Sequence, residues 1–442
     1  MAIVESSTAP GVAVAAAVVL VVLTWLWTAL VQLVWRPYAV ARAFGRQRIR
    51  GPAYRLFVGS DGEANAMRAA TRGDVLDRRC HDIVPRVMPH YRAWMSRYGK
   101  VFVSWTGPFP ALCVGDYAMV EVGEQFQELT ADVISHTAFG SSYREGKEVF
   151  VAQRELQSIA FSTINSTRFP GSQYIPTKTN LRRRHLAKKV RGTLMAIIRE
   201  RQAAASKEDS GYGNDLLGLM LEANAAADSE NSMTMNEIID ECKTFFFAGH
   251  DTTSHLLTWA MFLLGTHHEW QQRLREEVVR ECGGDTEALP SGDALNKLKL
   301  MTMVLYETLR LYGPVSLMAR TATADAELGG VRVPKGTMTM IPMAILHRDA
   351  DAWGAGAGEF DPLRFRGGVN KAAAHAGALL AFSLGQRSCI GQDFAMMEAK
   401  TTLAMVLRRF AFEVSPEYVH APLDYLTLQP QCGLPIILKL LD

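Results

Sequence analysis

Apolar residues fill the stretch Gly11–Trp35, in which no charged side chain occurs. About 20 such residues suffice to cross the hydrocarbon core of a bilayer as a helix, so the pattern predicts a single transmembrane helix over residues 11–35. Five arginines follow within Arg36–Arg50, whereas Glu5 is the only charged side chain before the stretch. This asymmetry predicts that residues 1–10 face the lumen and that the bulk of the chain is cytoplasmic.

A cleaved signal peptide is the alternative interpretation of the same stretch. The residues before it are acidic rather than basic, the apolar run is too long, and no small-residue cleavage site follows it. These departures favour an anchor. Pro37 and the Gly51-Pro52 pair then predict a break in the helix and a linker over residues 36–52, so that one catalytic domain covers residues 53–442.

The pattern beyond the linker is mainly helical with a minor β part. A strand pair is predicted at Val101–Thr106 and Ala111–Val114, and a second β region lies within Thr321–Met340. Thr234 and Glu237 have the spacing of a capping box, and they open a long apolar helix that ends near His267. The other predicted elements are helices at Leu295–Tyr312 and Arg387–Phe410 and polar loops at Ser206–Asn214 and Glu222–Asn231.

Composition and charge exclude several classes of protein. The 442 residues are 48% hydrophobic with a net charge of +2, which argues against a nucleic-acid binder because such proteins carry a basic surplus. None of the 6 cysteines stands in C-x-x-C spacing, which excludes a disulfide scaffold and a zinc ribbon. No dinucleotide or phosphate loop occurs either, so any electrons for a redox reaction must come from another protein.

The most specific stretch is Phe382–Gly391, which reads Phe-Ser-Leu-Gly-Gln-Arg-Ser-Cys-Ile-Gly. Cys389 lies just before a predicted helix, where unpaired N–H groups stabilise a thiolate. Gly385 and Gly391 allow a tight loop and the close approach of a flat ligand, and Arg387 offers a cation to a carboxylate. A thiolate held in this way can bind haem iron and favour cleavage of an O–O bond.

A second motif, Ala-Gly-His-Asp-Thr-Thr, interrupts the long apolar helix at residues 248–253. Taken alone it is compatible with an ordinary helix that contains a few polar residues. Polar groups in an apolar helix need partners, however, and the Thr252 hydroxyl is predicted to bond back to the carbonyl of Ala248. Asp251 and Thr252 then form an acid–alcohol pair that can deliver protons.

Glu307 and Arg310 stand three residues apart and share one face of a predicted helix. Such pairs usually lie on the surface and contribute little to stability. Arg364, within Phe-Asp-Pro-Leu-Arg-Phe, supplies a second arginine that can join them.

These motifs, in this order, resemble those of the cytochrome P450 family of haem-thiolate monooxygenases. The resemblance implies a helical bundle around haem b with small β-sheets, and Cys389 as the axial ligand of the iron. It implies that Thr252 positions dioxygen and its proton and that Asp251 supplies the relay. It assigns a buried structural triad behind the haem loop to Glu307, Arg310 and Arg364. The further residues that it places at the cofactor are Phe382, Gly385, Arg387 and Gly391 in the loop and, as propionate contacts, Arg387, Arg320 and His347.

The activity that the resemblance implies is the insertion of one atom of dioxygen into a C–H bond. Its substrate would be a small apolar or amphipathic molecule, such as a fatty acid, a terpenoid or a hormone, and an NADPH-cytochrome P450 reductase would supply the electrons at the endoplasmic reticulum membrane. Two segments resemble those of one plant clan of the family: the run Phe245–Phe247 and the tail around Pro422 and Leu428–Pro430. That clan contains cytokinin hydroxylases and in-chain fatty-acid hydroxylases.

The chain departs from the family in one respect. Family members carry Trp-x-x-x-Arg on a helix that contacts a haem propionate, and none of the 8 tryptophans here has an arginine four residues later. We therefore predict an internal deletion near residues 122–124. Because this deletion would remove the segment with the Trp-x-x-x-Arg helix, the alternative is that the chain is a catalytically impaired or haem-free membrane protein. A member that rearranges peroxides without a reductase is disfavoured by the intact Asp251–Thr252 pair.

Overall fold

The amino-terminal helix continues through Pro37 without the predicted break. The computed structural model describes residues 22–47, 49–77, 80–114, 152–153, 155–160, 172–205, 211–226 and 232–441. Residues 22–30 are helical, Val31–Trp35 form a π turn, and helix α1 spans Arg36–Arg46. Proline has no N–H to donate to the carbonyl four residues earlier, and that carbonyl, of Leu33, instead accepts a 2.6 Å hydrogen bond from Tyr54. The expectation of a break at Pro37 is therefore wrong.

The predicted transmembrane helix, residues 11–35, lies partly outside the described residues, because residues 1–21 are not among them. Within the part of the chain that the structure describes, no helix is long and apolar enough to cross a membrane. The prediction of a transmembrane helix is therefore not confirmed.

Helices make up most of the described chain, as the sequence predicts. After α1 they are α2 (Asp61–Thr71), α3 (Val84–Val87), α4 (Pro89–Tyr98), α5 (Lys178–Ala205), α6 (Leu216–Ala226), α7 (Met235–Thr266), α8 (His268–Cys282), α9 (Gly292–Lys297), α10 (Lys299–Tyr312), α11 (Met343–Leu346), α12 (Ala350–Trp353) and α13 (Gln392–Arg409). Residues 155–160 are also helical. Part of α6 replaces the loop predicted at Glu222–Asn231, of which residues 227–231 lie outside the described ranges.

The β part is small and divided among several sheets. Its strands are β1 (Val101–Thr106), β2 (Phe109–Val114), β3 (Met318–Thr321), β4 (Ala326–Leu328), β5 (Val331–Val333), β6 (Met338–Ile341), β7 (Phe410–Val414), β8 (Pro422–Tyr425), β9 (Thr427–Pro430) and β10 (Ile436–Leu440). The largest described sheet has the order β1-β2-β6-β3, and the pairs β4-β5, β8-β9 and β7-β10 stand apart from it. The predicted strand pair is confirmed, with Thr106 opposite Phe109, so the turn between the strands is shorter than the sequence predicts.

The long helix α7 runs through the main hydrophobic core. Thr234 accepts a hydrogen bond from the backbone N–H of Glu237, whose carboxylate accepts one from the N–H of Thr234. Both halves of the predicted capping box are thus present. Trp259 and Phe262, further along α7, are fully buried and belong to the same core as Cys389. The core therefore connects α7 to the start of α13.

The helix predicted over Leu295–Tyr312 is split at Leu298 into α9 and α10. Glu277 on α8 causes the split, because its carboxylate accepts 2.7 and 2.9 Å hydrogen bonds from the N–H groups of Leu300 and Met301. Those N–H groups belong to the first turn of α10, where helical N–H groups have no partner within the helix. A carboxylate at this end also interacts favourably with the helix dipole.

The helix predicted over Arg387–Phe410 begins later, at Gln392, and ends at Arg409. Arg387 lies instead in a short 3-10 turn, Gly385–Arg387. The five-residue difference leaves Cys389 in a loop directly before α13.

Candidate active site

The loop before α13 folds back so that Cys389 contacts its own beginning. The N–H of Cys389 donates to the carbonyl of Phe382 at 2.9 Å, and the N–H of Ser388 donates to the carbonyl of Gly385 at 3.0 Å. Ser383 and Gly385 have φ values of +61° and +80°, a left-handed conformation that costs a non-glycine residue about 1–2 kcal/mol. The resulting loop is tight, and Cys389 within it is buried.

The Cys389 sulfur lies beside the amino terminus of α13. Gly391 is the N-cap residue of that helix, and a Cβ at Gly391 would lie 4.0 Å from Sγ of Cys389. Unpaired N–H groups in the first turn of a helix favour a neighbouring negative charge. The loop therefore holds a buried thiol where a thiolate is stabilised.

His347 supports the residues that lead into this loop. Its Nε2 accepts a 3.0 Å hydrogen bond from the N–H of Leu380, two residues before Phe382. Burial, together with the nearby charges of Arg310 and Arg348, lowers the pKa of His347 to about 3. A neutral imidazole that accepts at Nε2 carries its proton on Nδ1. The contacts of His347 therefore indicate a positioning role behind the loop, and its role as a propionate contact stays a prediction.

Glu307, Arg310 and Arg364 come together behind the same loop. The Arg310 guanidinium donates to both carboxylate oxygens of Glu307 at 2.7 Å, and neither side chain is exposed. Nε of Arg364 is 3.8 Å from Glu307, and its two Nη atoms donate to the carbonyls of Trp353 and Gly356. The geometry is that of one buried anion between two cations, unlike the surface pair that this spacing usually forms.

Arg310 also ties three chain segments together through its remaining N–H groups. Nη1 donates to the carbonyls of His347 and Ala357 at 2.8 and 2.6 Å, and Nη2 donates to the carbonyl of Glu359 at 2.9 Å. With the two bonds to Glu307, all five N–H groups of the guanidinium are used. The side chain therefore anchors the backbone that precedes the loop.

Asp251 and Thr252 lie in the middle of α7 and differ in their contacts. Thr252 is 3% exposed, and its hydroxyl has no hydrogen-bond partner among the described residues. The predicted bond from Thr252 to the carbonyl of Ala248 is therefore wrong. A carboxylate oxygen of Asp251 accepts a 2.9 Å hydrogen bond from the hydroxyl of Thr427.

Thr427 and His255 are site residues that sequence reasoning missed. Nδ1 of His255 is 2.9 Å from the Thr427 hydroxyl that contacts Asp251. His255 follows Asp251 by one helical turn, which is a signal for a shared face, but a lone histidine on an apolar helix is not specific. Thr427 is 176 residues from Asp251, so no local pattern connects them.

The remaining predicted residues lie around the loop and on β3. Phe382 is buried, and its ring is 6.5 Å from that of Tyr306 in an edge-on arrangement. Arg387 is exposed in the 3-10 turn. Arg320 is half-buried on β3, where Nη1 donates to the carbonyl of Ala319. The roles of Arg387 and Arg320 as propionate contacts stay predictions.

Comparisons with known proteins agree with this arrangement. A family model described as cytochrome P450 matches residues 114–431. The chain belongs to the cytochrome P450 family. Cytochrome P450 709B1 from Arabidopsis thaliana is 39% identical over 94% of this chain and 96% of the relative. Cytochrome P450 734A6 from Oryza sativa subsp. japonica is 37% identical over 92% of both chains. Secologanin synthase 1 from Catharanthus roseus is 33% identical over 97% of this chain and 98% of the relative.

Membership in the cytochrome P450 family makes the chain an oxidoreductase of the monooxygenase type with a haem-thiolate cofactor, and its mainly helical fold with small sheets is that of the family. The residues present fit such a group. A thiol, the softest ligand among the side chains, is buried at a helix amino terminus. A buried hydroxyl, that of Thr252, has no hydrogen-bond partner within the described chain, as expected for a side chain that serves a bound molecule.

Proposed function

We propose that this chain hydroxylates a small apolar or amphipathic substrate, of the fatty-acid, terpenoid or hormone class, with dioxygen. Electrons would reach it from an NADPH-cytochrome P450 reductase. The observation that carries the proposal is the buried Cys389 sulfur at the start of α13, which would bind the iron of haem b. When bound, a haem with a thiolate ligand supplies the electron density that favours O–O cleavage.

The side chains around that centre have separate tasks. Thr252 presents a buried hydroxyl without a hydrogen-bond partner in the described chain, and it would hold a proton at Oγ1 and donate it to the reacting molecule. Asp251, held by Thr427, would replace that proton. Arg387 and Arg320 would pair with the two propionates. His347, whose Nε2 accepts from the N–H of Leu380, would hold in place the segment that leads into the loop.

The carbon-monoxide difference spectrum of the reduced protein tests the ligand assignment. The full chain should give the Soret band of a thiolate-ligated haem, and Cys389→Ala should abolish it because alanine has no ligand atom. Cys432→Ala is the matched control, since Cys432 is also a free cysteine but is exposed, and it should leave the band unchanged. Survival of the band in Cys389→Ala would show that another residue binds the iron.

For localisation, we propose that residues 11–35 anchor the chain in the endoplasmic reticulum membrane with residues 53–442 in the cytoplasm. Support comes from Trp25, Trp27 and Trp35, which are each more than half exposed on the described part of this stretch, as tryptophans at a membrane interface would be. Deletion of residues 1–35 should release the protein from microsomes into the soluble fraction in an alkaline wash. Retention of the truncated protein would contradict the anchor.

A second candidate function is a haem-free or impaired membrane protein. The alignment with cytochrome P450 709B1 covers 505 positions, whereas the chain has 442 residues, so many of those positions are gaps in this chain. The predicted deletion near residues 122–124 lies outside the described residues. Haem content per purified chain distinguishes the candidates: a ratio near one supports the monooxygenase, and a ratio near zero supports the alternative.

A further inference from the structure

A chain of hydrogen bonds leads away from the acid of α7 toward the carboxyl-terminal strands. The Thr427 hydroxyl, on β9, donates to Asp251 Oδ2 at 2.9 Å and lies 2.9 Å from Nδ1 of His255. A hydroxyl has one proton to donate, and here Asp251 receives it. His255 must therefore be the donor to Thr427, with its proton on Nδ1.

The far end of this chain reaches a cavity. His255 lines a space of about 490 Å³ between α7 and the strands β9 and β10, together with Thr258 and Gln429. His255 itself is only 8% exposed, and Thr427 is 3% exposed. The two groups thus connect a space that solvent can enter with a carboxylate in the middle of α7.

We propose that His255 and Thr427 form a proton relay that recharges Asp251 from this cavity. His255 first takes a proton from solvent at Nε2, so that both ring nitrogens carry protons. Its Nδ1–H bond then breaks as an O–H bond forms on Thr427, whose own proton passes to Oδ2 of Asp251. The ring is left neutral with its proton on Nε2, and loss of that proton to solvent with protonation at Nδ1 restores the starting form. Protons alone move, and one proton enters for each one delivered.

The relay rests on the proposed function and adds the source of its protons. Reducing dioxygen to one inserted oxygen atom and one water consumes two protons per turnover. An aspartate that passes a proton toward Thr252 must be protonated again before the next cycle, and the side of Asp251 that Thr427 contacts supplies a path from the cavity that His255 lines.

Four variants separate a relay from a contact that merely holds Asp251. His255→Asn keeps an N–H near the position of Nδ1 but cannot take up and release a proton near neutral pH. Thr427→Val removes the hydroxyl at constant shape, whereas Thr427→Ser retains it. Thr258→Val is the matched control, because Thr258 lines the same cavity and donates its hydroxyl to the carbonyl of Ser254.

The experiment uses the full-length, haem-loaded protein with its reductase and a turned-over substrate. We expect His255→Asn and Thr427→Val to lower product formed per NADPH consumed by about 100-fold, the lower end of what a positioned proton donor contributes. Thr427→Ser and Thr258→Val should stay within about twofold of the wild type, because neither change interrupts the path. In the ferrous carbon-monoxide form, ¹⁵N-histidine NMR should show an Nδ1–H proton of His255 that exchanges slowly and is lost in Thr427→Val.

Two results would overturn the relay while the proposed function stands. His255→Asn with wild-type coupling would show that the ring only positions Asp251. Thr427→Val with unchanged coupling and an unchanged Nδ1–H signal would show that the hydrogen bonds do not carry the proton. A wild-type chain that lacks the carbon-monoxide band would instead refute the proposed function, and the relay with it.

Discussion

Replacing Glu307 and Arg310 together by apolar residues tests what the buried ion pair contributes to stability. An ion pair without exposure is costly to desolvate, so exchanging both partners for hydrophobic residues is commonly neutral or stabilises by about 1–4 kcal/mol. We expect Glu307→Leu combined with Arg310→Met to destabilise the fold instead. The reason lies in the other groups that these two side chains satisfy.

The magnitude follows from the bonds that the double variant leaves unmade. Three backbone carbonyls, those of His347, Ala357 and Glu359, accept from Arg310 at 2.6–2.9 Å. Each buried carbonyl that loses its donor costs about 1–3 kcal/mol. With the middle of each range, about 6 kcal/mol for the three carbonyls against a gain of about 2.5 kcal/mol from removing the charges, the net loss is about 3–4 kcal/mol.

Urea denaturation followed by far-ultraviolet circular dichroism measures this loss as a lower midpoint at unchanged slope. Glu155→Leu with Arg182→Met is the matched control, because that pair is also bidentate, at 2.6–2.7 Å, but is largely exposed. It should change the free energy of unfolding by no more than about 1 kcal/mol. A buried double variant as stable as the wild type would refute the argument that Arg310 is needed for its carbonyl partners.

Three further predictions concern single positions. Burial lowers the pKa of His347 to about 3, so this histidine is protonated in the unfolded chain, but not in the folded chain, once the pH falls below ~6.5. The free energy of unfolding of the wild type should therefore fall by about 2 kcal/mol between pH 7 and 5 through this residue. His347→Gln should remove that part of the pH dependence of urea unfolding. Thr234→Ala removes the side-chain acceptor for the N–H of Glu237 and should cost about 1 kcal/mol in the same assay, unless the capping box contributes nothing. Gly51→Ala would drive a Cβ into the backbone carbonyl of Val103, so we expect a lower melting temperature by circular dichroism. An unchanged melting temperature would contradict the close approach of the two backbones.

Features that depend on residues close in the chain could be predicted from the sequence. The capping box at Thr234 and Glu237 formed as its spacing indicated, because the bonds that make it span three residues. The loop motif also indicated that Cys389 lies just before a helix, although the helical pattern placed the start of that helix at Arg387, five residues before its observed start at Gln392. The pairing of Glu307 with Arg310 required only that they share a helical face, although its complete burial was known only from the resemblance.

Features that depend on a distant partner could not be predicted. The break at Leu298 exists because Glu277, on α8, accepts hydrogen bonds from the first N–H groups of α10. The helix passes Pro37 because Tyr54 satisfies the carbonyl that proline cannot. In both cases the local pattern was interpreted correctly for an isolated segment, and a side chain from elsewhere changed the balance by satisfying a backbone group.

The sequence by itself determined the chemistry of this protein: a cysteine in a glycine-containing loop, an acid–alcohol pair in an apolar helix, and a Glu–Arg pair at helical spacing. Apart from the pairing of Glu307 with Arg310, tertiary structure alone decided what these groups contact. In the fold, His347 accepts a hydrogen bond from the N–H of Leu380, and the Thr252 hydroxyl has no hydrogen-bond partner in the described chain. The fold also brings Thr427 to Asp251 across 176 residues. Motifs record which groups a reaction needs, whereas hydrogen-bond partners depend on how separate segments pack, and packing of distant segments has no short-range signature in the sequence.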